Sequence, residues 1–312
     1  MKRIVAIQMD PIEFINPHSD TTLLLGVEAI RRGYEVYYYL ARDLTFKNGD
    51  ITALARHVTL RNNPADYHTI GEWKTLNLRE VDVVLMRQDP PFDMAYITAT
   101  HLLEMLSPDT LVVNDPFHVR NAPEKLYMFE FPQFVPPTLI THDGREIEVF
   151  LKEHKKIVLK PLYGYAGHSV FSLSEHDTNL HALLEMLFAS FKEPIIAQRF
   201  LPEIKSMDKR VIVIDGKVSA VMGRVPAEDD IRANFRAGGS GVKVEPTVRD
   251  ILIGETVGKE LAKKGIVLAG LDVIGEYLTE INVTCPTGLP KSNALYGITQ
   301  ERMVWDAIES RL

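Results

Sequence analysis

Cysteine is almost absent from this sequence: a single residue in 312, Cys285, excludes an internal disulfide and any zinc site built from several thiolates. Such usage fits a reducing compartment, and the cytoplasm is the expected location. Long hydrophobic runs are also missing, since crossing a bilayer takes about 20 apolar residues and no stretch approaches that length. The opening MKRIVAIQMDP has two basic residues and a short apolar segment, but Asp10 and Pro11 end it before a secretory core can form. There is no excess of positive charge. Lys plus Arg total 35 against 42 Asp plus Glu, a formal charge of −7, so nothing draws the whole chain to nucleic acid or to an anionic membrane surface. Any anion site must be local. Both common nucleotide fingerprints are lacking too: no G-x-G-x-x-G follows the first apolar run, and no G-x-x-x-x-G-K-[ST] occurs. Gly254 and Gly258-Lys259 come near the second, but their spacing is wrong by one residue and they lie inside a helical pattern, so no phosphate role is expected there.

What the chain does have is 46% hydrophobic content and a length that favours two or three domains over one. Residues 3–8 form an apolar run of the kind buried in a parallel sheet. A helix is predicted over 21–32, with Asp20 as its N-cap and Gly33 as its stop, followed by a strand over 34–40. Strand signals recur at 81–86 and 110–113 around a helix at 94–106, so the first 120 or so residues read as a doubly wound α/β domain with a parallel sheet. Ligand-facing loops should follow its strands, and two of them, MDPIEFINPHSD and RQDPPFD, carry polar clusters. From about Ala122 the pattern changes to hairpin strands separated by single helices, which indicates α+β modules. Strands are expected at 157–161, 170–173, 194–200, 210–214, 217–223 and 266–274. Helices are expected at 178–191 and 247–264, with a closing helix near 306–312.

Three segments carry chemistry. In IVLKPLYGYAGHSVF, Lys160 ends an apolar strand and a loop with Gly164 and Gly167 follows. Glycine lets backbone N–H groups approach phosphates closely while a strand-held ammonium is aimed at them, although such a loop is often only a turn. In LDVIGEYLTEINVTCPTG, Glu280 and Asn282 stand two apart on a strand and so share a face, and both offer the hard oxygens that Mg²⁺ takes. Asp272 lies on the preceding strand. A plain two-residue turn at Gly275-Glu276 would pair Asp272 with Thr279 and send Glu280 to the opposite face, whereas an odd loop or a bulge pairs Asp272 with Glu280. The odd loop or bulge is expected, because it leaves Leu271, Val273, Ile281 and Val283 to pack on the other face. An exposed acidic hairpin is the plain alternative, and Asn282, a residue depleted in strands, argues against it. In RVPAEDDIRANFRAGGSG, Arg224, Arg232, Arg236 and Asn234 accompany the Gly238-Gly239 pair in a stretch too long for a tight turn, one that could close over a reacting anion.

Together the chain resembles the ATP-grasp superfamily, and within it the prokaryotic type of glutathione synthetase. The resemblance runs nearly end to end, through MDP, DPPFD, VND at 113–115, PEK at 123–125, KPLYG, DKR at 208–210, AGG at 237–239 and LTEINVTCPTG. It implies an N-terminal domain followed by a two-module ATP-grasp fold, divided as 1–121, 122–200 and 201–312. It implies further that Lys125, Lys160, Gly164 and Gly167 meet ATP phosphates, that Gln198, Arg199, Phe200 and Leu201 receive adenine, and that Asp208 lies near the ribose. Asp272, Glu280 and Asn282 would hold Mg²⁺, or Mn²⁺. Arg210, Arg224 and Arg232 would be the catalytic cations, and the segment 224–241 a lid. Asp10, Asn16, Arg87, Asp89, Pro90, Asn234, Gly238 and Gly239 would face the substrates. The activity implied is ligation of γ-glutamylcysteine to glycine through an acyl phosphate, in a homo-oligomer, a tetramer, with no nucleic-acid or membrane partner. Rival readings are an ATP-grasp ligase for another acid and amine, and a catalytically silent nucleotide-binding module. Three departures stand out. Tyr163, Tyr165 and Ala166 replace the acidic or small residue and paired glycines frequent in the phosphate loop, Leu289, Pro290 and Lys291 replace an isoleucine-arginine-glutamate run, and Cys285 replaces a frequent serine, as a packed side chain with no histidine near it in sequence.

Overall fold

The computed structural model describes residues 3–165, 167–226, 233 and 239–312. Its first sheet contains β1 (Ile4–Gln8), β2 (Glu35–Tyr39), β3 (Leu44–Lys47), β4 (Asp50–Leu60), β5 (His68–Asn77), β6 (Val83–Met86) and β7 (Leu111–Val113). The apolar strands β2, β1, β6 and β7 run parallel in that order, as their unbroken hydrophobic character demands. Two helices cover them: α1 (Thr21–Arg31), capped by the Asp20 carboxylate accepting from the Leu23 N–H at 2.6 Å, and α2 (Met94–Glu104), capped by Asp93. The short α3 (Pro116–Arg120) follows β7. One arm is additional to the parallel unit. Strands β3, β4 and β5 pair antiparallel and extend the sheet beyond β2, with β4 alternating buried and open positions so that one face stays wet.

The second sheet holds β8 (Thr138–Thr141), β9 (Lys156–Pro161), β10 (Phe171–Ser174) and β11 (Ile195–Arg199), all antiparallel in the order β10-β9-β11-β8. Helices α4 (Gly144–His154) and α5 (Leu180–Ser190) close its own core of residues such as Ile147, Leu159, Leu184 and Ile195. The third sheet is β12 (Asp208–Ile214), β13 (Lys217–Val225), β14 (Ser240–Lys243), β15 (Leu268–Ile274) and β16 (Tyr277–Asn282), antiparallel in the order β14-β13-β12-β15-β16. Asp215 and Gly216 make the β12–β13 turn at φ 46° and 78°, the left-handed pair that two-residue hairpins need.

Helix α6 (Val248–Lys263) lies on this third sheet, and its glycines are explained by proximity. A Cβ on Gly258 would stand 2.8 Å from the Gly216 carbonyl oxygen, so these residues let helix and hairpin touch and have no phosphate to serve. The chain closes with α7 (Leu289–Tyr296) and α8 (Gln300–Glu309). The first and third sheets are fused. One continuous core joins Tyr96, Leu103 and Met128 to Val211, Ile253 and Leu271, and another joins Ile7 and Leu25 to Ile212, Leu268 and Trp305. The Trp305 indole N–H donates to the Leu25 carbonyl at 2.8 Å, and Arg32 on the outside pairs with Asp306 and Glu309, both at 2.6 Å. Among the described residues the middle sheet shares neither core.

Candidate active site

The three sheets meet around a cleft enclosing about 270 Å³. Its floor is the β15–β16 hairpin. The turn at Gly275-Glu276 has two residues, and a bulge then inserts Thr279, so that Asp272 stands opposite Glu280 and Gly270 opposite Asn282. Leu271, Val273, Ile281 and Val283 are fully buried on the other side. The bulge expected from the sequence is therefore present, and it puts two carboxylates and a carboxamide on the cleft face.

Across from Asp272 on β12 is Arg210, which donates from Nε at 2.7 Å and from Nη2 at 3.3 Å. Gly270 makes room for it. A Cβ there would fall 2.6 Å from Arg210 Nη1, the close approach that a glycine inside a strand often marks. Arg224 on β13 donates to Asp208 at 2.6 and 2.7 Å and also reaches Asp272 at 2.8 Å. Charges thus alternate along a buried row, Arg210, Asp272, Arg224, Asp208. Burial alone would raise the Asp272 carboxyl, but the two guanidiniums outweigh it and hold the group below the usual carboxylate range. At Asp208 burial wins over Arg224 and the group is raised.

Two lysines face this row from the other side. Lys125 pairs with Glu280 at 2.9 Å and also donates to the Gly164 carbonyl, which ties the glycine loop to the floor. Lys160 on β9 donates to Gln198 Oε1 at 3.1 Å, and the Gln198 amide in turn donates to Thr138 Oγ1 at 3.0 Å. Burial lowers Lys160 to about 8, with Glu280 opposing that shift and Lys125 adding to it. Gly164 and Gly167 line the cleft, Gly167 at φ 75°. Gln198, Arg199, Phe200 and Leu201 also line it as one wall with the apolar Val158, Ile204 and Ile274, and Asp208 lines it too.

Sequence reasoning passed over Glu124. Its carboxylate accepts from Thr284 Oγ1 at 2.7 Å, while burial pushes it up to about 7, Glu280 adds to the rise and Lys125 opposes it. The only available signal was its place beside Lys125. Thr284, Cys285, Pro286 and Thr287 also reach the cleft.

From the first sheet, Asp89 and Pro90 arrive at the mouth, and the Asp89 N–H donates to Asp10 Oδ2 at 2.8 Å. Arg87 is buried beneath, donating to Thr22 Oγ1 at 3.1 Å and to the Pro286 carbonyl at 2.9 Å. The Cys285 thiol donates to the Arg87 carbonyl at 3.1 Å and burial pushes it well up, so it packs as a thiol and not as a thiolate. Asp10 and Arg87 stand behind the wall of the cleft. Asn16 accepts from the His18 N–H at 3.1 Å in a local turn away from it, and Gly239 precedes β14 outside the lining. Arg232, Asn234 and Gly238 lie outside the described residues, as does most of the segment 224–241.

Among the described residues no three of His, Cys, Asp and Glu cluster as a ready metal cage. The donor set is nevertheless of the right kind for a hard cation: two carboxylates and an amide oxygen on one sheet face, with the Asn282 amide N–H already given to the Gly270 carbonyl at 3.1 Å.

Comparison with known proteins agrees with this geometry. D-alanyl-alanine synthetase A from Vibrio cholerae superposes with a TM-score of 0.64 at 13% identity over 99% of this chain and 98% of its own, which establishes a shared fold. Residues 124–297 match the family model for the prokaryotic glutathione synthetase ATP-grasp domain, and residues 3–120 match that for the prokaryotic glutathione synthetase N-terminal domain. Fold and cleft together define an ATP-grasp enzyme, an ATP-dependent carboxylate–amine ligase. Glutathione synthetases from Bradyrhizobium diazoefficiens and Brucella melitensis are 47% and 46% identical, covering 100% and 98% of this chain and 99% and 98% of their own lengths. The chain belongs to the prokaryotic glutathione synthetase family. Among its described residues no helix is long and apolar enough to cross a membrane.

Proposed function

We propose that this chain joins γ-glutamylcysteine to glycine at the expense of ATP, giving glutathione, ADP and phosphate. The observation that carries the reading is the convergence of Lys125, Lys160 and Arg210 with Asp272, Glu280 and Asn282 in one cleft bordered by an apolar wall. In the first step a carboxylate oxygen of the dipeptide attacks the γ-phosphorus, the bond to the β-phosphate oxygen breaks, and ADP departs. In the second the glycine amine attacks the acyl carbon and loses its proton as phosphate leaves with the bonding pair. The physical difficulty is one anion approaching another. A cation held about 4 Å from the reacting group contributes roughly 4 kcal/mol at moderate dielectric, so Lys125, Lys160 and Arg210 together lower the barrier by orders of magnitude.

Lys160 and the glycine loop would hold the triphosphate, the wall at Gln198, Arg199, Phe200 and Leu201 the adenine, and Asp208 the ribose side. Asp89 and Pro90 would face the dipeptide, held in place by Asp10 and Arg87 behind them, whereas the place of Asn16 away from the cleft gives it no contact there. Gly239 would hinge the lid that carries Arg232, Asn234 and Gly238. Asp272, Glu280 and Asn282 would hold Mg²⁺, or Mn²⁺, which supplies charge neutralisation to the phosphates. A cytoplasmic homotetramer completes the proposal, as does the division at 121 and 200. Mass spectrometry of the product from pure protein, Mg²⁺-ATP, γ-glutamylcysteine and glycine tests it. Glutathione at the expected mass supports the reading, and phosphate release only with some other acid and amine overturns the choice of substrates.

A further inference from the structure

Two aromatic residues bridge the gap between separately built parts of the molecule. Phe92, in the RQDPPFD loop after β6, lies with its ring 6.1 Å from that of Tyr163 in the KPLYG loop after β9, at an interplanar angle of 20°. Phe92 is also 5.4 Å from Tyr96 of α2, which is 2% exposed, and it packs against the core shared by the first and third sheets. Tyr163 is 38% exposed and belongs to no core of its own module. Its stacking partner is on the loop after β6 of the first sheet. Because the middle sheet shares no core with the rest, its orientation depends on a few contacts of this kind, and such modules rock on their neighbours.

We propose that Phe92 and Tyr163 form a latch that couples the loop facing the acid substrate to the loop facing the triphosphate, so that filling either tightens the other; this rests on the site reading proposed above. ATP would touch groups on both the middle sheet, such as Lys160 and Gln198, and the third sheet, such as Arg210, and so binds the lowered middle sheet better than the raised one. Holding it lowered keeps Tyr163 on Phe92, the arrangement seen in the structure, and fixes the RQDPPFD loop. Reciprocity follows: if the nucleotide orders the acid loop, the acid must favour the nucleotide by the same factor.

The test is calorimetric titration of the full chain with the Mg²⁺ complex of the β,γ-imido analogue of ATP, with and without saturating γ-glutamylcysteine. The acid should tighten the analogue by about two- to tenfold, the span an aromatic pair is worth. In Tyr163→Ala and in Phe92→Ala that ratio should fall to one, the double variant should lose nothing more, and Tyr163→Phe should keep the wild-type ratio. Hydrogen exchange supplies a second arm that needs no acid. The analogue alone should slow exchange in residues 88–96 of the wild type and not of Tyr163→Ala. A ratio unchanged in both single variants, or equal protection of 88–96 with and without the tyrosine ring, overturns the latch. If no acid binds the wild type, the substrate assignment fails by itself and the exchange arm decides the latch alone.

Discussion

Lys160 is a residue whose charge changes within the working pH range. Burial brings the ligand-free ammonium down to about 8, whereas a triphosphate stabilises the charged form. The sign follows from proton counting. Between about 8 and the ordinary lysine value of 10.5 the unfolded chain holds a proton that the ligand-free fold has lost, so this residue's cost to stability is full below 8 and is relieved as pH rises through that window. Nucleotide affinity moves the opposite way. Above pH 8 the analogue should bind progressively more weakly, approaching tenfold per pH unit, and Lys160→Arg should flatten the profile in titrations from pH 7.5 to 9.5. Glu280→Ala should cut phosphate release by about 10³-fold, the loss of one unit charge pair of roughly 4 kcal/mol, while leaving the unfolding midpoint within a few degrees. Near-normal turnover in that variant would remove Glu280 from the reaction. Gly270→Ala should lower turnover more than it weakens nucleotide binding, because its methyl group displaces the Arg210 guanidinium from Asp272, and a normal kcat would show that the guanidinium can shift without consequence.

At the scale of elements, the parallel strands were legible because burial on both faces writes continuous apolar runs, and Asp20 and Gly33 were legible because helix caps and stops demand particular residues. The β15–β16 bulge was deduced from chemistry, since only a shifted register lets Asp272 and Glu280 share a face. Other elements were not. Strands β3 to β5 escaped because Phe46, Leu54 and Trp73 are exposed and blur the alternation, and β8, β14 and α7 are too short for periodicity to register. Glu124 went unseen for a related reason: its importance lies in facing Glu280 and Thr284, residues some 160 positions away. Helix α6 gives a sharp test of packing against propensity. Gly258→Ala should gain about 1 kcal/mol in helix propensity and lose about 1–3 kcal/mol to the clash with Gly216. A lower midpoint in urea with unchanged nucleotide affinity is expected, and a rise would mean that the hairpin yields freely.

The whole molecule divides differently from its ligand sites. Its first and third sheets form one body through two shared cores, whereas the middle sheet stands on its own. Trp305, fully buried and bonded to Leu25, joins the ends of the chain. Trp305→Ala should cost about 3–5 kcal/mol, and probes placed in the first and third sheets should lose structure in one coincident transition. Separate midpoints would show that the two sheets are independent.

That division reaches back to synthesis. Residues 138–199 can close their hydrophobic interior as soon as they leave the ribosome, but the opening sheet must keep part of its apolar face uncovered until β12, β15 and α8 have been made. The growing chain therefore carries a finished middle beside an unfinished first sheet, whose residues are made before those of the middle and sheltered from water after them.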